Sequence, residues 1–198
     1  MNIILTGIMG CGKTTVGHML GKRLNMKFMD MDEEIEQEHG TITGIFEREG
    51  EAHFRDIESA MALKLANLDA LVISTGGGIV KRSENMEVLK KTGLVFFLDR
   101  PTEIILKKLD VSHRPLIRDN PLKLHDILAE RYPLYLAQCH YRIDASGSYE
   151  RTLSQIIALW KHPCAAGLQF SKADHAKSDL NLQFSKEILA EQATGDIK

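Results

Sequence analysis

Short apolar runs along the chain alternate with longer stretches in which apolar residues recur every three or four positions. "NIILT" at 2–6 has the unbroken apolar character of a buried strand, while 13–24 places Val16, Leu20 and Leu24 on one helical face. "KFMD" at 27–30 predicts a short strand, followed by helices over 31–39, 43–49 and 51–66. "ALVIST" at 70–75 is the plainest buried strand. A helix over 84–91, the strand "LVFFLD" at 94–99 and a helix over 102–109 come next. "DVSHRPLIRDNP" at 110–121 carries two prolines and two arginines with little periodicity, which predicts an exposed loop. A helix over 122–137, the strand "YRIDA" at 141–145 and a last helix over 149–160 complete the pattern.

Strand and helix alternate five times, the signature of an α/β domain built on a five-stranded parallel sheet. Ligands in such sheets bind beyond the carboxyl ends of the strands. The unusual residues of this chain fall there: glycines after the first strand, acids after the second, a triple glycine after the third. After Trp160 the character changes. Residues 161–198 are polar, with "LQFSK" at 168–172 and again at 182–186, and two copies are too few for a repeat architecture. The expectation is one domain over 1–160 and a partly helical or disordered extension over 161–198.

The first strand runs into "GIMGCGKTT", where Gly7 is followed after four residues by Gly12, Lys13 and Thr14. This is the phosphate-binding loop pattern, placed as it must be between a strand and a helix. Glycines let successive N–H groups turn toward phosphate oxygens, and the helix N-terminus adds positive potential. Gly10, Cys11, Gly12, Lys13, Thr14 and Thr15 are therefore expected to hold ATP phosphates. Lys13 would reach the β- and γ-phosphates, and the Thr14 hydroxyl would ligate Mg²⁺. Cys11 is read as a small filler within the loop.

"KFMDMDEEIE" at 27–36 crowds five carboxylates at the end of the second strand. Acids suit the first turn of a helix. Asp30 and Asp32 are expected to close the strand, leave it in different directions and take different jobs. Glu33, Glu34 and Glu36 are expected only to start and solvate the helix. Arg55 lies four residues after Glu51 and three before Glu58, which allows a helical ion pair. Arg131 precedes Pro133 and could serve as a cation in a last helical turn. Gly76, Gly77 and Gly78 remove side chains where a ligand must approach the backbone, unless they form a plain flexible loop.

Composition narrows the class. A net charge of −2 gives no general attraction for nucleic acid or anionic membrane. Cys11, Cys139 and Cys164 have neither paired nor metal-ligand spacing and are expected to be free thiols in a reducing compartment. "MNIILTGIMG" lacks a basic leader and breaks into glycines, so neither a signal peptide nor a membrane span is expected there. The expectation is a cytoplasmic monomer whose partners are small molecules.

Six stretches, in order, resemble the shikimate kinase family: "GIMGCGKTTVG" (7–17), "FMDMDEEIE" (28–36), "IFEREGEAHFRDIE" (45–58), "STGGGIV" (74–80), "RPLI" (114–117) and "ERYPLY" (130–135). The resemblance implies a three-layer α/β/α kinase fold with a mobile lid at about 110–121 and substrate-binding helices over about 31–66. It implies transfer of the ATP γ-phosphoryl to the 3-hydroxyl of shikimate. By the same resemblance Asp32 orients the acceptor and takes its proton, and Asp30 stands near Mg²⁺ through water. Arg55 and Arg131 hold the shikimate carboxylate, the Gly77 N–H contacts shikimate, and Arg114 closes over ATP as a lid arginine. Arg118 and Lys107 are weaker candidates. "GTITGIF" (40–46) is one residue shorter than the family's usual spacing, and no adenine contact is evident near 144–150. A kinase for gluconate or a nucleoside monophosphate, or a non-catalytic nucleotide-binding module, are the alternatives.

Overall fold

The computed structural model describes residues 1–107, 120 and 122–161. Apart from Asn120, the expected lid at 110–121 lies outside the described residues, with Arg114 and Arg118. So does the extension from 162 onward; Lys161 itself ends the last helix.

Five parallel strands form the sheet: β1 (Asn2–Thr6), β2 (Lys27–Asp30), β3 (Leu71–Ser74), β4 (Gly93–Asp99) and β5 (Tyr141–Asp144). Their spatial order is β2-β3-β1-β4-β5, so β1 is central and the chain reverses direction of growth beside it. Ile4 of β1 pairs with Ile73 on one side and Val95 on the other. Strands covered on both faces must be apolar on both faces, which is why they read as solid runs in the sequence. Ile3 and Leu5 face one core and Ile4 the other.

The helices divide between those two cores. Val16 and Leu20 of α1 (Lys13–Leu24) join Leu153 and Ile156 of α7 (Tyr149–Lys161) on one side. On the other side lie α2 (Met31–His39), α3 (Ile42–Ala66) and α4 (Ser83–Lys90), contributing Ile35, Phe54, Leu65 and Leu89 among others. The three-layer arrangement expected from the sequence is the one observed. The short α5 is Thr102–Leu106, and α6 is Lys123–Gln138.

Helix ends follow local chemistry. α1 stops at Asn25, which takes the left-handed conformation (φ 54°) and donates its N–H to the Gly21 carbonyl. The expected helices over 43–49 and 51–66 are halves of α3, separated by Gly50 with non-helical φ 82° and ψ 174°. Thr41 caps the first half, its hydroxyl accepting from Gly44 N–H at 3.2 Å. Asp30 and Asp32 do not both close the strand. Residues two apart on a strand share a face; here the chain becomes helical at Met31, and that change sends the two carboxylates different ways.

At the amino-terminal edge, His140 stands just before β5 and Val95 N–H donates to its Nδ1 at 2.8 Å. Burial, aided by Lys90, pushes the imidazole down from 6.5 to about 4. The fold thus favours neutral His140, a contribution complete above pH 6.5 and lost as pH falls toward 4. Urea midpoints are expected to drop between pH 6.5 and 4, and the drop should be smaller in His140→Asn, whose amide oxygen can accept the same N–H. An equal drop in both proteins would show that His140 does not carry it.

Candidate active site

The loop between β1 and α1 is shaped by its glycines. Gly10 and Gly12 have φ of 79° and 104°, values that side-chain-bearing residues rarely take, and α1 begins at the next residue, Lys13. The Lys13 ammonium reaches back over the loop, donating to the Gly7 carbonyl at 2.8 Å and the Ile8 carbonyl at 3.2 Å. Cys11 is buried inside the loop, its sulfur in the space that a Gly7 Cβ would need. It fills volume there, as the sequence predicts.

Thr14, one residue into the helix, donates its hydroxyl to Asp30 Oδ2 at 2.8 Å. The other Asp30 oxygen accepts the Asp32 N–H at 3.1 Å and so caps α2. One Asp30 oxygen thus meets the phosphate-loop helix and the other caps α2. Asp32 sits in the first turn of α2, its Oδ1 against the Cα of Gly76, where an added Cβ would lie 2.9 Å away.

One cavity of about 460 Å³ spans this region. Met9, Gly10, Gly12, Lys13, Thr14 and Thr15 form its floor, and Asp30, Asp32, Glu33, Ser74, Thr75 and Gly77 its acidic end. Glu33, read from sequence as a solvated acid, therefore lies on the lining. The opposite end is made by Arg100, Ile104, Ile105 and Tyr149.

Arg55 and Arg131 are not on that lining; they stand behind it, 7% and 3% exposed. The Arg55 guanidinium lies flat against Gly78, where a Cβ would come within 2.2 Å of Nη1. It donates to Glu58 at 2.7 Å and to Glu51 at 3.0 and 3.2 Å. Desolvation opposes its charge, yet Glu58 and Glu51 hold its pKa above the usual value. Burial raises the Glu58 carboxyl, and the Arg55 charge pulls against that shift. The helical ion pair expected of Arg55 is observed, and its Glu58 arm is buried rather than on the surface. Arg131 donates to the Gly77 carbonyl at 3.0 Å. The α6 helix continues through Pro133 to Gln138, so Arg131 is not a last-turn cation.

Sequence reasoning missed Arg100 and Tyr149. Arg100 follows β4 and donates to the carbonyls of Ala145 (2.7 Å) and Gly147 (3.2 Å) and to the Tyr149 hydroxyl (3.2 Å). Its guanidinium also lies over the Tyr149 ring, 4.8 Å from the centroid. Its position at a strand's carboxyl end was the available signal. Tyr149, 49 residues away, closes on Gly12 of the phosphate loop, where a Cβ would meet its ring at 2.7 Å.

The shikimate kinase family model matches residues 9–161. A shikimate kinase of Clostridium botulinum (strain Eklund 17B / Type B) is 44% identical over 156 residues, covering 78% of this chain and 92% of that protein. A shikimate kinase of Acinetobacter baumannii (strain AYE) is 44% identical over 160 residues, covering 79% and 89%. The solved shikimate kinase from Acinetobacter baumannii in complex with shikimate superposes with a TM-score of 0.76 at 41% identity, over 85% of this chain and 95% of that one. A gluconokinase from Sinorhizobium meliloti 1021 shares the fold alone, with a TM-score of 0.55 at 16% identity. A phosphate loop, an aspartate facing it and two buried arginines behind a triple glycine thus meet in a chain that belongs to the shikimate kinase family.

Proposed function

We propose that this ATP-dependent kinase transfers the γ-phosphoryl of ATP to the 3-hydroxyl of shikimate across the cavity between the phosphate loop and Asp32. The observation that carries the proposal is that Asp32, Lys13 and Gly77 line one cavity while Arg55 and Arg131 converge on Gly77 and Gly78. That arrangement suits an acceptor with hydroxyls at one end and a carboxylate at the other. The planar guanidinium fork matches a carboxylate better than an ammonium does. Gluconokinase-like chemistry has only the fold in its favour.

Asp32 orients the acceptor hydroxyl and receives its proton. A carboxylate is in general a weak base at neutral pH. Phosphoryl transfer is loose, however, so the proton leaves late and positioning dominates. Lys13 gives up its loop carbonyls for the β- and γ-phosphates, and the loop N–H groups from Gly10 to Thr15 cradle them. The Gly77 N–H contacts the acceptor. Arg100 and Tyr149 wall the nucleotide side. Arg114, in the segment outside the described residues, stabilises charge on the transferring group and excludes water.

Thr14 and Asp30 fit Mg²⁺. They present hard oxygens 2.8 Å apart beside the loop, and Mg²⁺ uses one or two protein oxygens while keeping waters and phosphates as its other ligands. When bound, the ion neutralises charge on the β- and γ-phosphate oxygens. Among the described residues no group of three or more His, Cys, Asp or Glu could hold a metal. ATP and shikimate are its small-molecule partners. No described helix is long and apolar enough to cross a membrane.

A coupled ADP-release assay with shikimate, gluconate and nucleoside monophosphates side by side tests the proposal. Turnover is expected with shikimate alone. Asp32→Asn is expected to lower kcat about 10³-fold while leaving binding of a non-hydrolysable ATP analogue within about twofold, since Asp32 is assigned to the acceptor. Gluconate turnover, or equal loss of nucleotide binding in Asp32→Asn, would contradict the assignment.

A further inference from the structure

Arg131 and Tyr135 lie one helical turn apart on α6 and so share a face. Both end on a single atom. The Gly77 carbonyl accepts from Arg131 Nη1 at 3.0 Å and from the Tyr135 hydroxyl at 2.6 Å, which occupies both of its lone pairs. Tyr135 is fully buried, and its ring stacks on Phe97 of β4 with centroids 4.9 Å apart and planes 16° from parallel. The sheet therefore fixes where the hydroxyl sits. Burial also raises its pKa, so the phenol stays protonated and remains a donor.

Gly77 is held from the opposite side as well. A Cβ there would stand 3.3 Å from Met9 N and 3.6 Å from the Gly7 carbonyl, both in the phosphate loop. Arg131 is committed to Gly77 through Nη1, while its Nε is buried with no hydrogen-bond partner among the described residues. A buried guanidinium edge with an unused donor points to an anion. Arg131 is thus asked to serve two acceptors, the Gly77 carbonyl and the carboxylate of the phosphoryl acceptor. Tyr135 can serve only the first.

We propose that Tyr135 is a positioning residue for the acceptor site: by sharing the Gly77 carbonyl, its hydroxyl keeps the free edge of Arg131 aimed at the shikimate carboxylate. The inference rests on the assignment of Arg131 to that carboxylate. Without the hydroxyl, the Gly77 carbonyl keeps Arg131 as its one remaining donor among the described residues and draws the guanidinium away from the ligand. Such a residue affects acceptor binding and leaves the nucleotide side alone.

Tyr135→Phe in the full-length chain removes one oxygen and keeps the ring stacked on Phe97. Its shikimate KM and calorimetric Kd are expected to rise about tenfold, the equivalent of one hydrogen bond, with the ATP KM within about twofold of wild type. Because the hydroxyl acts through Arg131, Arg131→Ala and the Arg131→Ala/Tyr135→Phe double variant should share one shikimate KM. An unchanged shikimate KM in Tyr135→Phe, a matching rise in the ATP KM, or a double variant showing the product of the single effects would each overturn the inference. Arg131→Ala separates this from the assignment beneath it. A normal penalty there beside an unaffected Tyr135→Phe removes the inference alone; no penalty in Arg131→Ala removes the assignment, and the inference with it.

Discussion

The site depends on the absence of three side chains. Where β3 ends, Gly76, Gly77 and Gly78 pass between α2, α3, the phosphate loop and α6. A Cβ on Gly76 would press on Glu58 and Asp32 at 2.7 and 2.9 Å, one on Gly77 would meet the phosphate loop, and one on Gly78 would enter the Arg55 guanidinium. The constraint is space rather than backbone freedom, since Gly78 has an ordinary φ of −102°. Bare backbone at this point allows an acid, an arginine pair and a phosphate-binding loop to share a small volume. With any side chain there, the two halves of the site would be pushed apart.

Bringing so much charge together has an electrostatic cost, and the way it is met tells what the site is for. Arg55 and Glu58 are both taken out of water, where removal of either partner costs about 3–5 kcal/mol and the intact pair stabilises little. A pair of that kind is weak evidence for stability and better evidence for placement. Glu51 and Glu58 grip Arg55 from two sides, so the guanidinium lies fixed against Gly78 with donors to spare. Glu58 Oε1 and Arg131 Nε are buried without hydrogen-bond partners among the described residues. One is an acceptor and the other a donor, on either side of the glycines. Together they match a ligand that offers both hydroxyls and a carboxylate.

How much of this could be read from the chain follows from range. Strands buried on both faces are apolar throughout, so β1, β3 and β4 appear within a residue or so of their true limits. The phosphate loop is legible because its chemistry is local, fixed by the spacing of Gly7, Gly12, Lys13 and Thr14. Arg55 with its two glutamates is likewise a matter of helical spacing. The partnership of Arg100 with Tyr149 was hidden because it needs β4 and β5 to be neighbours, a fact of sheet order. Asp30 and Asp32 were placed on one element because a spacing of two reads as strand. The capping carboxylate of Asp30 instead starts a helix between them. Arg131 was legible as a candidate through family resemblance alone. Its position behind Gly77 depends on α6 packing against the glycine run, a contact between residues 54 apart in the chain.

The central claim is that the glycine run lets Arg55 grip the acceptor beside the phosphate loop. Calorimetric titration of Gly78→Ala with shikimate tests it most directly, with a non-hydrolysable ATP analogue as the control on the same protein. The added methyl must displace a guanidinium held on both sides by carboxylates, so shikimate affinity is expected to fall tenfold or more, the order of one lost charge-assisted hydrogen bond (~1.5–3 kcal/mol). Nucleotide affinity should change by less than about twofold, because Gly78 faces away from the loop. Wild-type affinity for shikimate in a folded Gly78→Ala protein would contradict the account.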